Sequence, residues 1–103
     1  MTYRIVKMIF RNDEIENFLL LFETVKHKIK NTEGCQHLEL WQDKTAKNTL
    51  FTFSIWLNEE CLENYRKSSL FEETWAQTKI KFEGKPEAWS VEQLVSSAHN
   101  NFM

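Results

Sequence analysis

At 103 residues the chain has room for one domain, since domains usually run to roughly 100–200 residues. Its 13 Lys plus Arg against 15 Asp plus Glu leave a net charge of −2, which excludes a polybasic nucleic-acid or membrane-surface binder as the first reading. With 2 Gly, 1 Pro and 42% hydrophobic residues the chain is neither a loop-rich, disulfide-stapled scaffold nor a disordered one. The 8 Phe, 4 Trp and 2 Tyr are many large rings for so small a core, and they point to a pocket or a subunit interface.

Residues 3–10 alternate as a strand, with Tyr3, Ile5 and Ile9 on one face and Val6, Met8 and Phe10 on the other. Asn12 is the expected N-cap of the helix that follows, and Asp13 and Glu14 sit where carboxylates complement the helix dipole. Ile15, Phe18, Leu19, Phe22, Val25 and Ile29 recur at spacings of three and four, so this helix is amphipathic. Lys26, His27, Lys28 and Lys30 gather at its cation-favouring end, and Gly34 terminates the segment.

Two strands come next. Residues 35–42 set Leu38 and Leu40 against Cys35, His37, Glu39 and Trp41; residues 49–56 set Phe51, Phe53 and Ile55 against Leu50, Thr52, Ser54 and Trp56. The polar stretch 43–48 joins them as a hairpin. Asn58 caps a short helix through about Tyr65, and Ser69-Leu70-Phe71-Glu72 matches a capping box that opens another. Phe71, Thr74, Trp75, Thr78 and Phe82 share one face of that second piece, and Gly84 and Pro86 end it. Residues 87–95 alternate as a fourth strand. One domain over residues 1–95 and a polar C-terminal tail over 96–103 are expected.

The order β-α-β-β-α-β, with the second helix broken in two, is the ferredoxin-like arrangement: an α+β fold with a four-stranded antiparallel sheet and helices on one face. A sheet of this kind normally turns a polar second face to water. Here the first strand is apolar on both faces, and every other strand keeps Trp or Leu on the second one. A second copy of the chain packed sheet against sheet, a homodimeric α+β barrel, would cover it, with about 1,600 Å² buried in total.

Cys35 and Cys61 belong to no C-x-x-C pair, and free thiols in a reducing cytosol are the simplest reading. The N-terminus carries charges within its apolar stretch, unlike a signal peptide. The longest apolar run, Phe18 to Phe22, is far short of the roughly 20 residues of a membrane span. A cytoplasmic protein with no membrane or nucleic-acid partner is expected.

No phosphate loop, H-E-x-x-H or nucleophile elbow occurs. His37 and Glu39, two apart on one strand, could supply two metal ligands where a catalytic site usually wants three, so no metal and no other cofactor is expected. His37 is either a base whose intrinsic pKa near 6.5 suits proton abstraction, or a hydrogen-bonded histidine on a half-buried strand. Lys7 either anchors an anionic ligand or stretches to the rim with its stem buried. Tyr65, Phe71 and Trp75, with Phe51 and Phe53 from the sheet, are the candidate walls of a cavity between helices and sheet. Phe53 is also assigned to the helix–sheet core with Phe18, Phe22, Phe71 and Phe82, and Trp56 to the partner subunit.

Three stretches carry a family resemblance: Gly34-Cys35-Gln36-His37-Leu38-Glu39-Leu40, Phe51-Thr52-Phe53-Ser54-Ile55-Trp56, and Glu59 to Phe71 with its Glu-Glu pair and Tyr-x-x-Ser-x-x-Phe spacing. With the element order, they make residues 2–95 resemble the antibiotic biosynthesis monooxygenase (ABM) domain family. The resemblance implies a dimeric α+β barrel with a helix–sheet cavity in each subunit, and activities that include cofactor-free monooxygenation of polycyclic phenols, quinol oxidation and haem degradation. The haem-degrading branch uses an Asn, a Trp and an axial His at positions where this chain carries Lys7, Tyr65 and Trp75, which disfavours haem as the ligand.

The expected function is therefore cofactor-independent oxidation of a small aromatic molecule, a quinol or polyphenol. His37, Lys7 and Tyr65 are the candidates for the polar roles of base and anion-stabilising donor. The alternative is a ligand-binding barrel without catalysis, with haem binding as a third reading.

Overall fold

The computed structural model describes residues 1–98. Eight elements follow one another: β1 (Thr2–Ile9), a 3₁₀ turn (Asn12–Glu14), α1 (Ile15–Lys30), β2 (Cys35–Gln42), β3 (Thr49–Trp56), α2 (Glu59–Arg66), α3 (Ser69–Lys79) and β4 (Glu87–Val91). The sheet is antiparallel throughout, with strand order β2-β3-β1-β4, and the helices cover one face: a ferredoxin-like α+β fold. The fourth strand stops at Val91, earlier than its alternation suggests. Of the expected tail 96–103, residues 99–103 lie outside the described residues.

Helix starts and stops follow from local chemistry, with two shifts from the expected positions. Asn12 opens the 3₁₀ turn, and α1 begins after Glu14, whose Oε1 accepts from Asn17 Nδ2 at 2.8 Å. Asn58 caps α2, its Oδ1 accepting from the Cys61 N–H at 2.9 Å. Ser68, rather than Ser69, caps α3, its Oγ accepting from Phe71 N–H at 3.2 Å. Two serines in succession make the cap ambiguous to a pattern; the extended backbone of Ser68 decides it.

The period-two alternation settles which side chains meet the helices. Val6, Met8 and Phe10 from the first strand, Leu38 and Leu40 from β2, and Leu50 and Trp56 from β3 face inward. The buried residues form two clusters. Met8, Phe10, Phe18 and Leu50 gather at one end; Cys35, Trp56 and Leu62 gather at the other. Such a division is unusual for a chain this small, where one contiguous core is the rule.

Three face assignments differ from expectation. Trp56 is 1% exposed and sits beneath α2, not at a partner surface. Phe53 pairs with Ile5 and lies on the open face of the sheet, outside the helix–sheet core, as does Phe51 opposite Lys7. Apolar content alone ranks Phe51-Phe53-Ile55 as the inner face of β3, yet the helices cover Leu50-Thr52-Ser54-Trp56. Ser54 is compatible with burial because its Oγ accepts the Trp56 indole N–H at 2.9 Å. Cys35 is the third case. A register shift between Cys35 and His37 puts an extra residue into β2, so Cys35 turns inward while His37 stays on the open face.

Gly34 precedes that irregularity with φ +86°. A side chain there would place its Cβ 2.4 Å from Cys61 Cβ and 2.5 Å from Cys61 Sγ. The missing side chain is what lets α2 lie against the start of β2.

The open face keeps Tyr3, Ile5, Phe53 and Ile55 together with Trp41 and Trp89, which are 42% and 43% exposed. Tyr3 and Trp41 both pack on Phe53, with ring centroids 6.0 and 4.9 Å away. In the described residues no helix is long and apolar enough to cross a membrane.

Candidate functional site

Between the two core clusters the helices stand away from the sheet and leave a cavity of about 290 Å³. Met8 and Phe18 of the first cluster and Trp56 and Leu62 of the second all reach it. That size is near the lower end of small-molecule pockets, roughly 300–1,000 Å³.

Its distinctive wall is aromatic. Tyr65 of α2 stacks on Trp56, centroids 4.9 Å apart and planes 24° from parallel. Phe71 meets Tyr65 edge-on at 5.3 Å, and Trp75, one helical turn on, stacks on Phe71 at 6.0 Å. The series continues through Trp75–Phe82 and Phe82–Phe10 into the first core cluster. The turn at Ser68 makes this possible: its Oγ donates to the Tyr65 carbonyl at 2.6 Å and accepts from the N–H of Phe71. One hydroxyl thus fixes the angle at which two wall residues meet.

The polar groups of the cavity are few. Thr52 and Ser54 come from β3, and Thr74 and Thr78 from α3, where Thr78 Oγ1 donates to the Thr74 carbonyl at 2.7 Å. Burial, reinforced by nearby Cys35, pushes the Tyr65 phenol well above its ordinary value, so it stays protonated and is available as a donor. Arg4 reaches in from the first strand, its Nη1 donating to Ser90 Oγ of β4 at 2.9 Å. Burial, and then the neighbouring Arg66, pull the Arg4 guanidinium below its usual value. It nonetheless remains charged at neutral pH.

Tyr65, Phe71 and Trp75 meet at this cavity, whereas the other residues singled out in the sequence lie on the opposite face of the sheet. The expectation that Phe51 and Phe53 wall the same space is corrected by their strand parity. Lys7 lies 4.0 Å from Glu87, its register partner, and is turned away from the cavity. His37 Nε2 bonds Glu39 Oε2, and Glu39 Oε1 accepts the Trp41 indole N–H at 2.7 Å. These bonds, that of His37 first, hold the Glu39 carboxyl below the usual range. This group lies on the open face beside Phe53, across the sheet from the cavity.

With Arg66 and Glu87, Arg4 is a charged residue of the cavity border that sequence reading passed over. Its position has the same parity as Val6, Met8 and Phe10, which is signal enough to place it on the inner face. Among the described residues, no three His, Cys, Asp or Glu side chains come together as metal ligands would.

Residues 1–77 match the family model for antibiotic biosynthesis monooxygenase. The chain belongs to the ABM family. The match takes in β1 through most of α3, the elements that carry Arg4, Trp56, Tyr65, Phe71 and Trp75.

Solved structures reproduce the ABM architecture at low identity. The crystal structure of an antibiotic biosynthesis monooxygenase superposes with a TM-score of 0.86 at 13% identity, covering 92% of this chain and 100% of that one. A conserved protein from Methanosarcina mazei Go1 gives 0.85 at 18%, covering 91% and 94%. Rv0793 from Mycobacterium tuberculosis gives 0.84 at 16%, covering 93% and 97%. At such identities the likeness is one of fold. No curated protein matches the sequence.

Proposed function

We propose that this ABM-family chain is a cofactor-independent oxidoreductase that oxidises a small aromatic molecule, a quinol or polyphenol, in the cavity between helices and sheet. The observation that carries the reading is the aromatic wall of Trp56, Tyr65, Phe71 and Trp75 around a cavity of about 290 Å³. Flat rings gain from stacking on flat rings, and an apolar lining excludes the water that would quench reactive intermediates.

A quinol gives two electrons and two protons to dioxygen, yielding quinone and hydrogen peroxide. A polyphenol with an acidic ring methylene instead takes up one oxygen atom as a carbonyl, and the other leaves as water. In both cases negative charge develops on a phenolic oxygen before electron transfer. The protonated Tyr65 hydroxyl is suited to stabilise that charge as a donor. It is not suited to be the base, and Lys7 and His37 lie on the far face of the sheet. The substrate then enters as a phenolate or loses its proton to water.

The open face supports a second part of the reading, a homodimer. Tyr3, Ile5, Phe53 and Ile55 with Trp41 and Trp89 make a surface that a second copy would cover, sheet to sheet. His37 then belongs to the subunit interface and not to the catalytic centre.

Oxygen uptake with naphthalene-1,4-diol tests the activity. Uptake should scale with protein above autoxidation and fall about tenfold or more in Tyr65→Phe. Binding of the diol without any uptake above autoxidation would instead establish the non-catalytic reading.

A further inference from the structure

Arg4 occupies an unusual electrostatic position. It projects from a central strand into a largely apolar cavity and spends one donor on Ser90 Oγ. Arg66, at the end of α2, borders the same cavity. Two guanidiniums near one another repel, and the partial burial of Arg4 reduces the screening that water would give it.

The nearby carboxylates do not resolve this. Glu59 and Glu63 lie close enough to Arg4 to favour its charge. Yet Glu63 Oε1 is bonded to Arg66 Nη1 at 3.0 Å, and Glu59 Oε2 accepts from Thr2 Oγ1 at 3.2 Å. Glu87, although it borders the cavity, sits beside Lys7. Among the described residues no carboxylate lies within ion-pairing reach of Arg4. A half-buried cation without an anionic partner, with most of its five donors free, is arranged to receive one.

We infer that the cavity binds an aromatic carboxylate: the ring lies on the wall of Trp56, Tyr65, Phe71 and Trp75, and the carboxylate is held by Arg4 with Arg66 beside it. This rests on the cavity being the substrate site and narrows the substrate to an aromatic acid. A carboxylate pairs with a guanidinium through two parallel N–H···O bonds, which fixes the plane of the ring as well as its position. The anion also offsets the repulsion between the two arginines, so a charged ligand gains over a neutral one of the same shape.

Isothermal titration of the wild-type protein with 2-naphthoate and with its neutral isostere 2-naphthamide tests the inference, with naphthalene-1,4-diol under argon as the probe of the cavity itself. The carboxylate should bind at least about tenfold more tightly than the amide. Arg4→Gln should erase that preference while leaving amide affinity within about twofold. Arg66→Gln, at an exposed position that leaves the fold intact, should reduce the preference without abolishing it. Equal binding of acid and amide, with the diol also bound, would overturn the carboxylate assignment and leave the aromatic site standing. Failure of all three ligands to bind would overturn the site and this inference together.

Discussion

Replacing Gly34 by alanine tests how tightly the cavity wall is tied to the sheet. At φ +86° an L-residue costs about 1–2 kcal/mol relative to glycine. The new Cβ would sit 2.4 Å from Cys61 Cβ, where unstrained carbon contacts need roughly 3.5–4.0 Å. The helix must therefore retreat by about 1 Å, and overpacking of this kind costs about 1–3 kcal/mol. Reduced freedom of the unfolded chain returns about 0.4–1 kcal/mol. The net loss is about 3 kcal/mol, a large share of the ~5–15 kcal/mol available to a domain. It corresponds to a fall in Tm of about 15 °C.

Urea unfolding followed by circular dichroism measures this loss, and Cys61→Gly separates its two parts. That substitution removes both colliding atoms at about 0.3 kcal/mol of helix propensity, since cysteine is itself a poor helix former. In its background Gly34→Ala should cost only the backbone strain, so the two changes should couple by about 2 kcal/mol. Because Leu62 and Tyr65 ride on the same helix, the single variant should also loosen the cavity and bind naphthalene-1,4-diol more weakly. A Gly34→Ala cost below 1 kcal/mol, or one equal in both backgrounds, would refute the steric argument.

Two further outcomes are expected. Phe53→Glu puts a charge at the centre of the open face, where a monomer leaves it hydrated and a sheet-to-sheet dimer desolvates it; light scattering after gel filtration should show a dimer weakened at least about a hundredfold, and an unchanged dimer would exclude this face as the interface. The raised Tyr65 pKa makes folding stability fall as pH rises above the ordinary tyrosine value near 10, because the unfolded chain releases a proton that the folded one keeps. Denaturant titrations between pH 9 and 11 should therefore show a steeper alkaline loss in the wild type than in Tyr65→Phe, by up to about 1.4 kcal/mol per pH unit; parallel curves would mean that the phenol is not held in its neutral form.

Element order, strand parity and the helical spacing of Tyr65, Phe71 and Trp75 are all legible in the sequence, because each rests on periodicity. Which face of a strand turns inward is a different matter. In β3 the more apolar set, Phe51, Phe53 and Ile55, lies on the open face, while the inner face carries Thr52 and Ser54. A cavity accepts polar side chains that a solid core would not, and the open sheet face carries rings that a water-facing surface would not. Apolar content therefore ranks the two faces in the wrong order. The same inversion drew attention to Lys7 and His37 and away from Arg4. The irregularity at Gln36 adds a local failure of parity, since nothing in Cys35-Gln36-His37 announces the extra residue that turns Cys35 inward.

The four tryptophans divide evenly between the two sides of the sheet: Trp56 and Trp75 border the cavity, and Trp41 and Trp89 stand on the open face. The proposed occupation of the cavity and the proposed pairing of two copies thus each have their own pair of intrinsic fluorophores. A chain carrying Trp41→Phe and Trp89→Phe would emit only from the cavity wall, and one carrying Trp56→Phe and Trp75→Phe only from the open face. Emission from the first should respond to ligand, and from the second to protein concentration, so the two processes can be followed separately without an added dye.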